Sequence, residues 1–243
     1  MFDGVKSLKE FYHGKGLRLN LIAVILGIMV LAPMVAAADD VNPGVYPVDS
    51  VICGKTYGEW SAEWWKWAFS IPLDRNPLTD TTGEFCAEGQ SGDVWFIGGI
   101  ISSQPSPIQV TRTCTIPAGK ALFFPVINGE CSRIEGNGET EEELRACANN
   151  QMEYVTVKEA KVDGKKLKNL DDYRVESDLF IFKLPKDNIL GLHPGSSYSV
   201  ADGYWIMLEP LSEGKHTIYI HGKMVFPDGS SFETEVTYKI TVV

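Results

Sequence analysis

Apolar and polar residues alternate strictly near the C-terminal end of the chain. A period of two predicts an antiparallel strand with one face buried and the other in solvent. One face carries Phe232, Thr234, Val236, Tyr238, Ile240 and Val242, and the other carries Glu233, Glu235, Thr237, Lys239 and Thr241. The turn signal Pro227-Asp228-Gly229 predicts a hairpin that joins this strand to another at residues 215–221.

Further short runs rich in β-branched and aromatic residues predict more strands, at 94–97, 109–114, 121–127, 154–162, 165–167, 179–184 and 204–208. Asp163-Gly164 is a favoured hairpin turn between two of them. The run 121–127 is apolar throughout, which predicts a buried strand, and Pro125 within it marks a sheet edge or a bulge. Many short strands with frequent turns predict a mainly β fold, either an antiparallel sandwich or a jelly-roll-like body.

A tryptophan-rich segment at 56–70 gives the one strong signal for a long helix. Thr56 and Glu59 form a capping box, and Pro72 ends the helix near Ser70. Most apolar residues fall on one stripe, but Trp65 and Phe69 lie on its flank. Either the helix is buried on two sides within its own domain, or Trp65 and Phe69 form part of a docking or ligand surface.

A second, shorter helix is predicted to begin at Glu141. Thr140 and Glu143 have the spacing of a capping box for it. The body of the domain therefore carries two helices, a tryptophan-rich one near its N-terminus and this short one.

The first 38 residues have the pattern of a secretory signal peptide. Four basic residues precede an apolar run at 21–35, and Ala36-Ala37-Ala38 supplies a small-residue cleavage site. The apolar run is short for a bilayer span, although an uncleaved membrane anchor is the alternative. We therefore expect residues 39–243 to form one exported domain, secreted or extracytoplasmic. Its first part (56–150) mixes a helix with loops and strands, and its second part (152–243) is β-structure.

Composition narrows the class of protein. The chain of 243 residues is 44% hydrophobic, 11% aromatic and 22% charged, which is typical of a folded globular protein and not of a disordered one. Its net charge of −10 argues against a nucleic-acid partner, which would require a basic patch. We expect membrane contact only through the N-terminal segment, if that segment is not cleaved.

All five cysteines lie beyond residue 38, in the part of the chain that would reach an oxidising compartment. There is no C-x-x-C pair, which excludes a zinc ribbon or a thioredoxin-like site. We expect Cys131–Cys147 to brace an acidic loop and Cys86–Cys114 to tie two strand ends together. Cys53 is then unpaired, either as a free buried thiol or as an intermolecular link. Spacing alone does not fix the connectivity.

The acidic stretch 129–143 gives one cue for a metal. Glu135, Asn137, Glu139 and Glu141 place oxygen-bearing side chains at alternate positions, as a calcium loop does, but Thr140 stands where an EF-hand loop needs glycine. A flexible acidic surface loop explains the same residues. We expect no cofactor, with calcium as the one metal to test.

Hydrolytic chemistry has little support in the sequence. Ser91 lies in Gly89-Gln90-Ser91-Gly92-Asp93, which misses the G-x-S-x-G motif at its last position. His221 lies on a predicted strand with no identified partner. A secreted hydrolase that uses an Asp or Glu with His221 is the alternative hypothesis.

Several short motifs recur in one known group of proteins: Trp64-Trp65-Lys66-Trp67-Ala68, Ser70-Ile71-Pro72, Gly89-Gln90-Ser91-Gly92, Val94-Trp95-Phe96, Thr113-Cys114-Thr115-Ile116-Pro117, Phe123-Phe124-Pro125, Ala201-Asp202-Gly203-Tyr204-Trp205 and Gly214-Lys215-His216-Thr217-Ile218. In these the chain resembles an uncharacterised family of exported prokaryotic proteins. The resemblance covers most of residues 56–243 and implies one exported module. It implies no activity and no catalytic residue.

Together these patterns predict an exported binding or structural module of the cell envelope or extracellular space. The expected partner is a cell-envelope protein or a carbohydrate, because flat aromatic faces stack on sugars and also accept protein partners. The candidate binding residues are Trp65, Phe69, Asp80, Asp93 and His221.

Overall fold

Ten strands and two α-helices follow one another in the computed structural model, which describes residues 42–101 and 109–243. The predicted signal peptide lies outside the described residues. The helices are α1 (Tyr57–Ser70) and α2 (Glu141–Met152). The strands are β1 (Val94–Phe96), β2 (Gln109–Ile116), β3 (Ala121–Ser132), β4 (Val155–Val162), β5 (Lys165–Lys166), β6 (Arg174–Glu176), β7 (Phe180–Leu184), β8 (Gly195–Leu208), β9 (Gly214–Val225) and β10 (Ser231–Val242).

The strands form two five-stranded sheets. The central sheet has the order β1-β3-β8-β6, with β7 also paired to β8, and the outer sheet has the order β2-β10-β9-β4-β5. This confirms the expected mainly β, sandwich-like fold. Most neighbouring strands are antiparallel as expected, but β1 pairs with β3 and β2 with β10 in parallel. Both sheets are therefore mixed. Parallel neighbours require crossover connections instead of hairpins.

Strand β3 is buried on both faces. Leu122 and Phe124 belong to the core between the two sheets, whereas Ala121 and Phe123 belong to a second core beneath α1. Strand β8 alternates in the same way. Because successive side chains of a strand point to opposite faces, a strand covered on both sides must be apolar at every position. This explains the uninterrupted apolar run at 121–127.

Helix α1 covers the central sheet on the face opposite the outer sheet. Its capping box is formed as predicted, since the Glu59 amide donates to Thr56 Oγ1 (3.3 Å) and the Thr56 amide donates to Glu59 Oε2 (2.7 Å). Trp64 anchors the helix: its ring lies 5.5 Å from that of Trp205 on β8, in an edge-to-face arrangement. Aromatic pairs of this geometry contribute about 0.5–1.5 kcal/mol beyond the area they bury.

Both expected disulfides are present. Cys86–Cys114 ties the loop before β1 to β2, and Cys131–Cys147 ties α2 to the end of β3. Helix α2 begins after the predicted capping box of Thr140 and Glu143. In the described residues no helix is long and apolar enough to cross a membrane.

Of the two alternatives for Cys53, the free buried thiol is wrong, and the intermolecular link stays a prediction. Its thiol is free, as expected, but exposed. Cys53 and Gly54 have φ values of 50° and 82° and lie between the bridged residues Ile52 and Lys55. Positive φ at both central residues is the geometry of a tight two-residue turn, and such a turn projects its side chains into solvent.

The native protein should therefore present one reactive thiol. Titration with dithionitrobenzoate is expected to release one equivalent from the folded, unreduced chain and five equivalents after reduction and denaturation, because only Cys53 is outside a disulfide. Cys53→Ser should abolish the native signal. Three native equivalents would contradict one of the two disulfides.

Candidate functional site

A β-bulge in the middle of β3 forms the floor of a cleft. The pairing of β3 with β8 shifts between Pro125 and Ile127, so one residue of β3 has no opposite partner. Proline has no amide hydrogen for the sheet ladder and is found at bulges or edges, which confirms the prediction made for Pro125. All six residues from Pro125 to Glu130 line the cleft. Bulges often occur next to functional sites because they redirect side chains locally.

The cleft, which we call the α1–β3 cleft, has a volume of about 360 Å³. This lies within the range of small-molecule sites and equals the space of about a dozen water molecules at ~30 Å³ each. Its walls are mostly apolar and come from α1, the 97–101 loop, the turn that contains Leu190 and the outer sheet. Among the wall residues are Trp64, Trp65, Phe69, Leu78, Ile100, Ile101, Leu190, Met224, Phe226 and Phe232.

The 97–101 loop is held by a buried arginine. Arg112 Nη1 donates to the carbonyl oxygens of Gly98 and Gly99 (both 3.0 Å) and to Tyr238 Oη (2.6 Å). The Ile100 amide also donates to Thr234 Oγ1 (2.7 Å). Buried backbone groups need such partners. The loop wall of the cleft is therefore fixed by the outer sheet, which carries Arg112, Tyr238 and Thr234.

One end of the cleft is polar. Glu130 is buried, and its Oε2 accepts a hydrogen bond from Ser199 Oγ (2.5 Å). Glu135 is exposed at the mouth, and its Oε2 accepts a hydrogen bond from Ser132 Oγ (2.6 Å). The Glu135 carboxyl also lies close enough to Glu130 to affect its ionisation. The described residues contain no lysine, arginine or histidine ion-paired with either carboxyl.

Burial raises the pKa of Glu130 well above its ordinary value. The hydrogen bond and the charge of Glu135 raise this pKa further, and the Ser199 hydroxyl opposes the shift only in part. Two adjacent carboxyls in a site of low polarity do not both ionise readily. Burial and the adjacent carboxyl of Glu135 therefore both favour the neutral form of Glu130.

Two donors on the cleft wall have no hydrogen-bond partner among the described residues. They are the indole Nε1 of Trp65 and the amide Nδ2 of Asn128. The same is true of the buried nitrogens Trp95 Nε1, Arg112 Nη2 and Trp205 Nε1, whose residues do not line the cleft. Buried polar groups are normally paired, and an unpaired one costs about 1–3 kcal/mol.

Of the five binding residues predicted from the sequence, two line the cleft and three lie outside it. Trp65 and Phe69 are 8% and 1% exposed, so they form no open docking surface, but both line the cleft. Asp80 and Asp93 lie outside it. Although burial acts in the opposite direction, hydrogen bonds from Thr82 and Phe85 hold the pKa of Asp80 below its ordinary value, and the carboxylate closes its own loop.

Asp93 is an exposed residue before β1, with Lys120 Nζ 3.7 Å from its carboxylate. An exposed ion pair of this kind contributes little, about 0–1 kcal/mol. Asp93 does not line the cleft.

His221 lies on the solvent-facing side of the outer sheet. Its Nε2 is 2.9 Å from Glu233 Oε1, and Lys223 Nζ donates to Glu233 Oε2 (2.9 Å). The neighbouring residues Ile220 and Gly222 are buried, so His221 faces away from the core and does not line the cleft. The carboxylate partner of the hydrolase hypothesis is present, but it belongs to a row of paired charges.

The four residues of the calcium hypothesis are engaged within the loop and α2 or exposed. They do not converge on one point: Glu135 and Asn137 both accept from Ser132, Glu141 pairs with Arg145 on α2, and Glu139 is exposed. Among the described residues, no group of three or more acidic, cysteine or histidine side chains is placed to hold a metal ion. The calcium hypothesis gains no support from this geometry.

Sequence reasoning missed the polar end of the cleft. Strand β3 was expected to end at residue 127, and Glu130 was assigned to the acidic loop, but β3 continues to Ser132. One signal was available: Asn128 and Glu130 lie two residues apart, directly after a wholly apolar run, and so share one face of any continued strand.

Comparison of the chain with protein-family models, curated proteins and solved structures gives no match.

Replacing Glu130 should change how stability depends on pH. A carboxyl whose pKa is raised by folding stabilises the protein fully below its unfolded-state pKa of about 4.3, and this contribution is lost as pH rises through the folded-state pKa. Relative to Glu130→Gln, the wild-type protein should lose up to about 1.4 kcal/mol of unfolding free energy per pH unit across that window.

Urea unfolding of both proteins from about pH 4 to about pH 9 measures this difference. Glu139→Gln, an exposed change in the same acidic stretch, is the matched control and should follow the wild type. Parallel curves for wild type and Glu130→Gln would show that folding does not raise the pKa of Glu130.

Proposed function

We propose that the protein is an exported binding protein whose α1–β3 cleft takes a small, mainly apolar molecule. The observation that carries this proposal is the cleft itself, a space of about 360 Å³ with aromatic and aliphatic walls and a single polar end. Small-molecule sites have this composition: apolar walls supply affinity, and a few polar groups fix the orientation of the ligand.

The position of the aromatic side chains favours a small ligand over a protein or a carbohydrate. Stacking on a sugar and docking of a protein both need an accessible aromatic face. Trp65 and Phe69 are almost fully buried, and the part they leave open is the wall of the cleft. A molecule that enters the cleft reaches both rings, whereas a flat partner surface does not.

A binding function is also favoured over the hydrolase hypothesis. Nucleophilic hydrolysis needs a nucleophile, a base and an orienting group in mutual contact beside a substrate cavity. His221 has its carboxylate, but the hydroxyl of the neighbouring Tyr219 donates to Glu235 (2.9 Å) on the sheet surface. The cleft and His221 share no residue.

We also propose a secreted or extracytoplasmic location. The support is the signal-peptide pattern at residues 1–38 together with two disulfides, which persist in oxidising compartments.

The test uses N-phenyl-1-naphthylamine, an uncharged apolar probe whose fluorescence rises in apolar sites. The wild-type protein should bind one probe molecule per chain. Leu190→Trp adds bulk at the half-buried edge of the cleft and should weaken binding by about tenfold, or ~1.4 kcal/mol. The probe is excited directly, so the added tryptophan does not contribute to the signal.

Ile181→Trp is the matched control, because Ile181 is an exposed apolar residue on β7 outside the cleft. It should bind the probe as the wild type does. Failure of the wild type to bind, or equal loss in both variants, would contradict the proposed function. Circular dichroism confirms that each variant is folded.

A further inference from the structure

The four tryptophans of α1 differ in one respect. Trp60, Trp64 and Trp67 each donate their indole N–H to a backbone carbonyl oxygen, of Ile52, Ile97 and Glu88 respectively, all at 2.9 Å. The indole N–H of Trp65 has no partner among the described residues, although Trp65 is only 8% exposed and lines the cleft. A buried indole N–H normally finds an acceptor.

Asn128 repeats this feature on the floor of the cleft. Its Nδ2 is buried without a partner, and its side chain packs against the backbone of β8, where the absence of a side chain at Gly203 leaves the room: a Cβ there would lie 2.6 Å from Asn128 Cβ. Asn128 and Glu130 share one face of β3, roughly 7 Å apart along the strand. The residues that carry the two unpaired donors and the two carboxyls therefore all line the α1–β3 cleft.

The Glu130–Glu135 pair still has capacity to accept. A carboxylate has about four lone-pair positions, and the hydrogen bond from the Ser132 hydroxyl uses one of those of Glu135. No cation of the described residues takes the remainder. At the polar end of the cleft, the N–H groups of Trp65 and Asn128 thus lack an acceptor, and the carboxyl of Glu135 still has unused acceptor positions.

We propose that the ligand of the α1–β3 cleft carries a hydroxyl group, whose oxygen accepts from Asn128 and Trp65 and whose hydrogen is donated to Glu135. This inference rests on the proposed function and specifies the ligand's polar group. A hydroxyl is the smallest uncharged group that both donates and accepts. An ammonium group has no lone pair for the two unpaired donors, and a carboxylate would meet two acidic side chains, Glu130 and Glu135.

The sign of a stability change tests whether Asn128 serves a ligand. Replacing an unsatisfied buried polar group by an apolar one of similar size removes its desolvation penalty. Asn128→Leu should therefore raise Tm of the ligand-free protein by about 2–4 °C, while it weakens binding of 1-octanol. A structural role for Asn128 would instead lower Tm, and that result would overturn its assignment.

Trp65→Phe and Trp64→Phe form a matched pair, since both remove the same part of an indole ring from α1. Trp64→Phe also breaks the hydrogen bond to Ile97 and should lower Tm further than Trp65→Phe does. Only Trp65→Phe should also weaken 1-octanol relative to N-phenyl-1-naphthylamine. Equal losses of Tm would show that the Trp65 N–H is already satisfied.

Competition against the bound probe identifies the polar group. 1-Octanol and its isomer methyl heptyl ether have the same atoms, but only the alcohol donates a hydrogen bond. 1-Octanol should displace the probe at about tenfold lower concentration than the ether, octylammonium or octanoate. Glu135→Ala should remove its advantage over the ether, whereas Glu139→Ala, an exposed change outside the cleft, should keep it.

The outcomes distinguish failure of the hydroxyl assignment from failure of the proposed binding function. If the probe binds but the four competitors act equally, the hydroxyl assignment is wrong and the cleft remains a binding site; an ordered water that satisfies the donors would give this result. Stronger displacement by octylammonium or octanoate would overturn the hydroxyl assignment and show that the ligand's polar group is a cation or an anion, respectively. If the probe itself does not bind the wild type, the proposed function fails first.

Discussion

Burial of β3 on both faces is the constraint on which the rest of the structure depends. Its alternate side chains enter two different cores, so the chain must supply a cover on each side. The outer sheet covers one face and α1 covers the other. The density of tryptophan in α1 follows from this arrangement, because one short helix has to fill the second core with large side chains such as Trp64.

The bulge at Pro125 interrupts this regular packing, and the α1–β3 cleft lies where the interruption occurs. Beyond the bulge β3 carries Asn128 and Glu130 on a face that would otherwise continue as core. An unpaired amide and a buried carboxyl lower the stability of the folded state relative to apolar residues. A site that keeps such groups beside an open space has the chemistry of a binding site, in which a ligand supplies the missing hydrogen bonds.

Much of the fold was predictable because its signals are local. The capping boxes of Thr56 and Thr140, the alternation along β10 and the bulge at Pro125 each depend on residues a few positions apart, and all are present. Both disulfides also formed as expected. Cys53 was placed wrongly because exposure at a tight turn depends on the φ values of two residues, which its apolar character does not reveal.

The sequence by itself determined the type of each element, since hydrophobic period, capping and turn chemistry act within one segment of chain. It also marked Trp65 and Phe69 as residues off the main apolar stripe. Only the tertiary structure decided that these rings line a cleft and that Glu130 meets Glu135 and Ser199 there. The physical reason is that the cleft joins α1, β3 and the outer sheet, and which far-apart residues share a space is set by the packing of whole elements.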